Sequence, residues 1–305
     1  METNNVLITG GTGLIGEALT NLLLENGYKV AYLSRTAGEK NGIVSFKWDL
    51  HKSYIDEKAI EWADYIIHLA GTSVADKRWS DDRKKDIIFS RTKGVELIAN
   101  TLLTKNYKLK AFISSSGIAY YGIDTKDKWV DEDSEKGDGF LADVVEKWEE
   151  VIYQISNLGI RCAALRTGVV LSNKGGALTQ LAAPVKLGFG AALGSGEQFL
   201  PWIHIEDLCK QYLFVIENQH IEGVLNAVAP NPLNNVDFTK VVAQVLHKPL
   251  WLPNAPGFVL RIVLGEMADI VLGGNRVKPK RFVEEGFIFH YPELKPALKQ
   301  LFKKS

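Results

Sequence analysis

Short apolar runs alternate with longer amphipathic stretches through the first half of the chain, and this rhythm limits the possible folds more than any other feature. Val6–Thr9, Lys29–Ser34, Tyr65–Ala70, Ala111–Ser115 and Cys162–Thr167 read as strands, with helix-like segments of about 12–20 residues between them. Strand and helix in alternation predict βαβ crossovers, so the expected class is α/β, a doubly wound parallel sheet with helices on both faces. Past about Val170 the chain becomes rich in Gly and Pro, and from about Pro230 it reads as short helices around a weak strand. The expected division is a first domain over 1–172, with 203–229 returning to it, and a smaller C-terminal lobe from 173–202 and 230–305.

The first strand runs into Thr9-Gly10-Gly11-Thr12-Gly13-Leu14-Ile15-Gly16, and a helix over Glu17–Asn26 follows. Glycine permits the tight turn at Gly10, lets a backbone approach a pyrophosphate at Gly13, and lets helix and strand pack closely at Gly16. The helix N-terminus adds N–H groups and partial positive charge. Strand before and helix after make this a Rossmann-type dinucleotide site. A site built for NAD carries Asp or Glu at the end of the second strand, roughly 20 residues past the glycines, to hold a ribose 2′-hydroxyl. Here the sequence is Leu33-Ser34-Arg35-Thr36. An anionic 2′-phosphate would repel a carboxylate, whereas Arg35 can grip it with a charged fork and Ser34 can add a hydroxyl, so the expected cofactor is NADP(H).

Composition removes several alternatives. The 305 residues carry 36 Lys plus Arg against 36 Asp plus Glu, and this neutrality argues against a nucleic-acid groove. Cys162 and Cys209 stand far apart with no ligand spacing around them, which predicts no disulfide framework, no metal site and a reducing, cytoplasmic compartment. The start, Met1-Glu2-Thr3-Asn4-Asn5, has no basic region or cleavage site of a secretory signal. The apolar stretch Gly257 to Gly273 is broken by Arg261, Glu266 and Asp269, so no membrane span is expected. A monomer or a homodimer acting on an unnamed small molecule fits these bounds.

Several further motifs fall in a familiar order: Trp48-Asp49-Leu50, His68-Leu69-Ala70-Gly71, Ser114-Ser115-Ser116 and Trp202-Ile203-His204-Ile205-Glu206-Asp207-Leu208. With the glycine turn they make the chain resemble the extended short-chain dehydrogenase/reductases, which include sugar-nucleotide epimerases and dehydratases. More narrowly it resembles the atypical, NADP-binding "epimerase family" branch, through Arg78-Trp79, Ser90-Arg91, Tyr120-Tyr121-Gly122, Gly194-Ser195-Gly196 and the tail Gly274-Asn275-Arg276-Val277-Lys278-Pro279. The resemblance implies that Asp49 and Leu50 lie near the adenine and that Leu69, Ala70 and Gly71 run along the cofactor. It also implies Asp86 and Arg91 near the riboses and phosphates, and Arg166 to Val169 near the nicotinamide.

The wider class uses a Ser or Thr, a Tyr and a Lys four residues after it, the Tyr as acid/base and the Lys lowering its pKa. Ser116 is the counterpart of the serine, with Ser115 the alternative. In the expected helix, however, Phe140 stands at the Tyr position and Val144 at the Lys position. Tyr54 with Lys58 and Tyr291 with Lys295 have the right spacing in the wrong places, and Lys147 lies about 10 Å along the helix axis from Phe140, too far to replace a Lys at the fourth position. The remaining candidates are Ser116 with a phenol from Tyr120 or Tyr121, Tyr121 being preferred. His204 is either a proton donor or a structural histidine, and Asp207 is expected to cap a helix over Leu208–Glu217. Three readings stand: an NADP(H)-dependent oxidoreductase or epimerase-like enzyme with a smaller substrate lobe, a catalytically silent NADP(H) sensor or regulator, for example of cell division, and an interaction protein with a vestigial nucleotide site.

Overall fold

The computed structural model describes residues 4–105 and 107–303; residues 1–3, part of the start read above for an export signal, lie outside the described residues. Seven parallel strands form the main sheet: β1 (Asn5–Thr9), β2 (Lys29–Ser34), β3 (Ile43–Asp49), β4 (Tyr65–His68), β5 (Ala111–Gly117), β6 (Cys162–Thr167) and β7 (Gly223–Ala227). Their order is β7-β6-β5-β4-β1-β2-β3, extended past β3 by the short antiparallel strand Gly38–Lys40. The chain builds outward from β1 to β3, then crosses to the other side of β1 and builds outward again from β4. Thr9 therefore sits between Leu33 on one side and His68 on the other. This reversal leaves a crevice at the carboxyl ends of the strands, where open α/β sheets bind ligands.

The sheet is buried on both faces, as parallel sheets are. Val6 and Ile8 point to a face covered by α1 (Leu14–Glu25) and a later helix (Ile205–Glu217), where they pack with Leu19, Leu23 and Tyr212. Leu7, one residue out of phase, points to the opposite face with Ile66, Phe112 and Trp148. That face is covered by α2 (Asp81–Lys105) and α3 (Phe140–Ser156), which also pack on each other. None of the helices in the described residues is long and apolar enough to cross a membrane.

A third core gathers Leu171, Leu178, Trp202, Phe238 and Leu298 in the later part of the chain. The strand Gly274–Val277 pairs in parallel with Asp124–Val130 from the first half, with a register shift between Gly274 and Arg276. Sequence reading gave no strand over 124–130. Its residues, Asp-Thr-Lys-Asp-Lys-Trp-Val, are polar and mostly exposed, so there is no apolar alternation to read.

Candidate functional site

Glycine shapes the turn after β1. Gly10 has φ +72°, and a Cβ there would stand 3.0 Å from the Ala70 nitrogen. At Gly16 a Cβ would meet the Gly10 carbonyl at 2.4 Å, and at Gly11 the Tyr32 ring at 2.2 Å. Helix α1 starts at once from Gly13, with no side chain capping its first N–H groups.

The floor under this turn is fixed by Thr9. Its hydroxyl oxygen accepts from the backbone N–H groups of Leu69 and Ala70, both at 3.1 Å, and lies 2.9 Å from His68 Nδ1. With two bonds already accepted, the hydroxyl donates to Nδ1, so the ring carries its proton on Nε2 and is neutral. Burial first, and the charge of Arg91 second, push the pKa of His68 down to about 3.

A cleft of about 730 Å³ opens above this floor. The turn contributes Gly10, Gly11 and Thr12, the end of β2 Ser34 and Arg35, and the end of β3 Asp49 and Leu50. Ala70 and Gly71 follow from β4, and Asp86 from α2. Arg35 is exposed and has neither a hydrogen bond nor an ion pair among the described residues. Gly13 and Gly16 lie in the turn and first turn of α1, Ile15 and Leu69 pack in the core, and Leu14 faces a groove on the far side of α1. The sequence did not reveal Tyr32 beneath Gly11, nor the stack of His51 on Phe89, whose centroids are 5.1 Å apart. Those two rings are 38 residues apart in the chain, with β4 between them, and only the folded chain joins them.

Arg91 lies behind the cleft wall. Its Nη1 donates to the carbonyls of Thr72 at 3.0 Å and Ile87 at 3.1 Å, and its guanidinium lies over the Trp148 ring. Burial, with Arg83 nearby, lowers its pKa to about 10. It braces the wall behind Gly71 and is absent from the cleft lining.

The two residues expected to be catalytic are buried and hydrogen-bonded within the protein. Ser116 Oγ donates to Glu149 Oε1 at 2.7 Å, and both side chains are buried. Tyr121 Oη donates to Asn226 Oδ1 at 2.8 Å and accepts from Arg166 Nη1 at 3.1 Å. Burial pushes this phenol up to about 12 although Arg166 and Asn226 pull the other way. Arg166 itself, expected at the nicotinamide end, makes a two-pronged ion pair with Glu149 at 2.8 and 2.7 Å and stacks 3.3 Å from the Tyr120 ring centroid. Burial opposes its charge, but the bonds and charge of Glu149 outweigh that and raise its pKa. Ser116, Tyr121 and Arg166 thus satisfy one another inside the protein and line neither cleft.

The cap expected of Asp207 is supplied by His204. The helix begins at Ile205, and His204 is its cap, Nδ1 accepting from the Glu206 N–H at 3.1 Å. Asp207 is buried and accepts from the N–H groups of His290 and Tyr291, both at 2.9 Å, tying down the C-terminal tail.

A second cleft, of about 290 Å³, opens beyond the ends of β5 and β6. Val169 lines it, as does Phe140, which meets Trp79 edge-on at 5.1 Å. Val144 is buried in the helix behind.

Comparison with known proteins agrees with this architecture. Residues 6–227 match the model of the NAD dependent epimerase/dehydratase family, and residues 255–301 match a domain of unknown function, DUF1731. The epimerase family protein YfhF of Bacillus subtilis is 35% identical over 299 residues, covering 97% of each chain. The crystal structure of human epimerase family protein SDR39U1 (isoform 2) with NADPH superposes with a TM-score of 0.85 at 33% identity, covering 97% of this chain and 98% of that one. A nucleoside-diphosphate sugar epimerase from Corynebacterium glutamicum gives 0.80 at 32% identity, covering 98% of this chain and 58% of that one. The chain belongs to the NAD dependent epimerase/dehydratase family, among the epimerase family proteins of the SDR39U1 and YfhF kind.

Proposed function

We propose that this protein is an NADP(H)-dependent oxidoreductase or epimerase-like enzyme acting on a small molecule. The observation that carries the reading is Arg35, a cation without a partner among the described residues, at the end of β2, beside Ser34 and with no carboxylate at the NAD position, on the rim of the larger cleft. The human relative crystallised with NADPH supports it. The residues fit the cofactor in shape as well: a side chain at Gly16 would collide with the turn that has to cradle the phosphates, and one at Gly11 with the Tyr32 ring beneath it. Gly10 to Gly16 would hold the pyrophosphate, Asp49 and Leu50 the adenine end, and Ala70 and Gly71 the run toward the nicotinamide. Bound there, the cofactor supplies hydride chemistry.

Titration of the purified protein with NADPH and NADH tests this. The wild type should prefer NADPH, and Arg35→Ala should weaken NADPH about 10- to 100-fold, the loss of charge-assisted bonds worth about 1.5–3 kcal/mol, while leaving NADH unchanged. Equal wild-type affinities would remove the reading.

A second reading, an NADP(H)-binding sensor without turnover, is favoured by Phe140 at the acid/base position and by the buried state of Ser116 and Tyr121. Incubation with NADPH and a broad panel of carbonyl compounds, followed by cofactor absorbance, separates the two: tight binding with no turnover selects the sensor.

A further inference from the structure

The helix Gly257–Leu264 is apolar at every position except Gly257 and Arg261, yet none of its residues is buried. Phe258 and Ile262, one turn apart, are 67% and 70% exposed, and Val259 and Val263 beside them are exposed as well. The bare apolar ground continues along the segment before the helix. Trp251, 65% exposed, donates its Nε1 to the Gly188 carbonyl at 3.0 Å, between the exposed Leu187 and Phe189. From there the two segments run side by side to the parallel bridge of Leu193 with Ala255, two residues before the helix. Aromatic side chains bury about 150–250 Å² each when covered, so Phe189, Trp251 and Phe258 alone leave roughly 300–500 Å² bare. With the aliphatic side chains added, this exceeds the about 300–600 Å² of an ordinary monomer's largest patch, and such an excess marks an interaction surface.

A groove of about 340 Å³ adjoins this ground, and its titratable lining is basic. Lys295, Lys299 and Lys303 stand four residues apart along the C-terminal helix Leu294–Phe302 and its cap, and His247 joins them from the end of the helix Asn235–Leu246. None of the three lysines pairs with a carboxylate among the described residues. The groove meets the apolar ground twice in the chain. Lys186, whose Nζ lies 5.2 Å over the Phe302 ring, precedes Leu187, and His247-Lys248 precede Leu250 and Trp251. From 175 to 196 and from 238 to 265 the sequence contains no Asp or Glu. The two carboxylates just past the helix are neutralised, Glu266 by Lys84 at 2.5 Å and Asp269 by Arg261 at 2.9 Å.

We propose that this face docks on an anionic phospholipid bilayer, with the helix Gly257–Leu264 and Trp251 entering the headgroup boundary and the lysine groove meeting the lipid phosphates. Large apolar and aromatic side chains flanked by cations are the chemistry by which a short helix lies in a membrane surface, about 5–10 Å deep. The stretch from Gly257 that is too broken by charge to span a bilayer is suited to that position. Charge selects the occupant. A second copy in a two-fold contact would bring this face against itself, lysines against lysines. A nucleic acid would satisfy the lysines and leave the apolar side chains in water. The proposal is independent of the enzyme reading, since no residue in it lines the larger cleft.

Sedimentation of the full-length protein with vesicles tests it, using phosphatidylcholine alone and phosphatidylcholine with roughly 30% phosphatidylglycerol. The protein should bind the anionic vesicles at least about tenfold more tightly. Lys295→Glu with Lys299→Glu should weaken that binding at least about 25-fold, because each cation near such a surface is worth about fivefold. Ile262→Asp should remove the apolar contribution, whereas Leu103→Asp, at a leucine 64% exposed on α2, should change nothing. NADPH affinity should stay at the wild-type value in every variant. Quenching of wild-type fluorescence by brominated acyl chains, lost in Trp251→Phe, reads insertion even if Ile262→Asp fails to fold. Equal binding to both vesicles, binding to neither, or a Leu103→Asp protein as impaired as Ile262→Asp would each overturn the proposal. Self-association of the protein without lipid, abolished by Ile262→Asp and unaccompanied by vesicle binding, would give the face to a second copy and overturn it too.

Discussion

Both ends of the carboxyl edge of the sheet carry residues that chemistry could use, and the fold treats them in opposite ways. At the β1, β2 and β3 end, Arg35 stands in the open without a partner among the described residues, and no side chain caps the helix that the glycine turn opens. At the β5 and β6 end, Ser116, Tyr121, Glu149 and Arg166 have closed on one another, with every charge paired and both hydroxyls engaged. The second set holds more reactive residue types than the first. What separates a site from a strut here is whether the polar groups still have something left to bind.

The largest expected effect comes from opening the closed end. Arg166 and Glu149 are 4% and 6% exposed at their side chains, so Arg166→Met strands a buried carboxylate and should cost about 3–5 kcal/mol in urea unfolding. The double variant Glu149→Leu with Arg166→Met leaves neither charge unpaired and should recover most of that loss. If the single and double variants were equally damaged, packing rather than charge would account for the cluster.

The open end was legible in the sequence because its signals are local. Gly10 to Gly16 and Ser34-Arg35 are short runs whose spacing is set by backbone geometry, and strands β1, β2 and β6 show as apolar runs for the same reason. The closed end was illegible because its partners are distant in the chain: Ser116 meets Glu149 across 33 residues and Tyr121 meets Asn226 across 105. A serine and a tyrosine in family order look the same whether their hydroxyls are free or tied.

Even the open end rests on a closed floor, and pH exposes it. His68 is held neutral down to about pH 3, while in the unfolded chain it takes up a proton near its ordinary value of 6.5. Between those limits the unfolded state binds more protons, so stability is complete above pH 6.5 and falls as pH drops, by up to about 1.4 kcal/mol per unit. Wild type should therefore lose about 2 kcal/mol more than His68→Gln between pH 7 and pH 5, measured by denaturant midpoints at each pH. Parallel losses in the two proteins would place the acid sensitivity elsewhere.

The finest test sets one substitution from each end side by side. Tyr121→Phe removes an oxygen that serves two partners, leaving Asn226 Oδ1 buried without a donor, and should cost about 1–3 kcal/mol of stability with NADPH binding unchanged. Arg35→Ala removes an exposed group that holds nothing in the protein, so the stability of the cofactor-free protein should move by less than about 0.5 kcal/mol while NADPH affinity falls. Thermal and urea unfolding without cofactor read the first quantity and titration reads the second, and the two variants should occupy opposite corners of that plot. A Tyr121→Phe protein of wild-type stability that bound NADPH but lost turnover would return the phenol to the chemistry, because a group already satisfied by Asn226 and Arg166 has no reason to affect the rate alone.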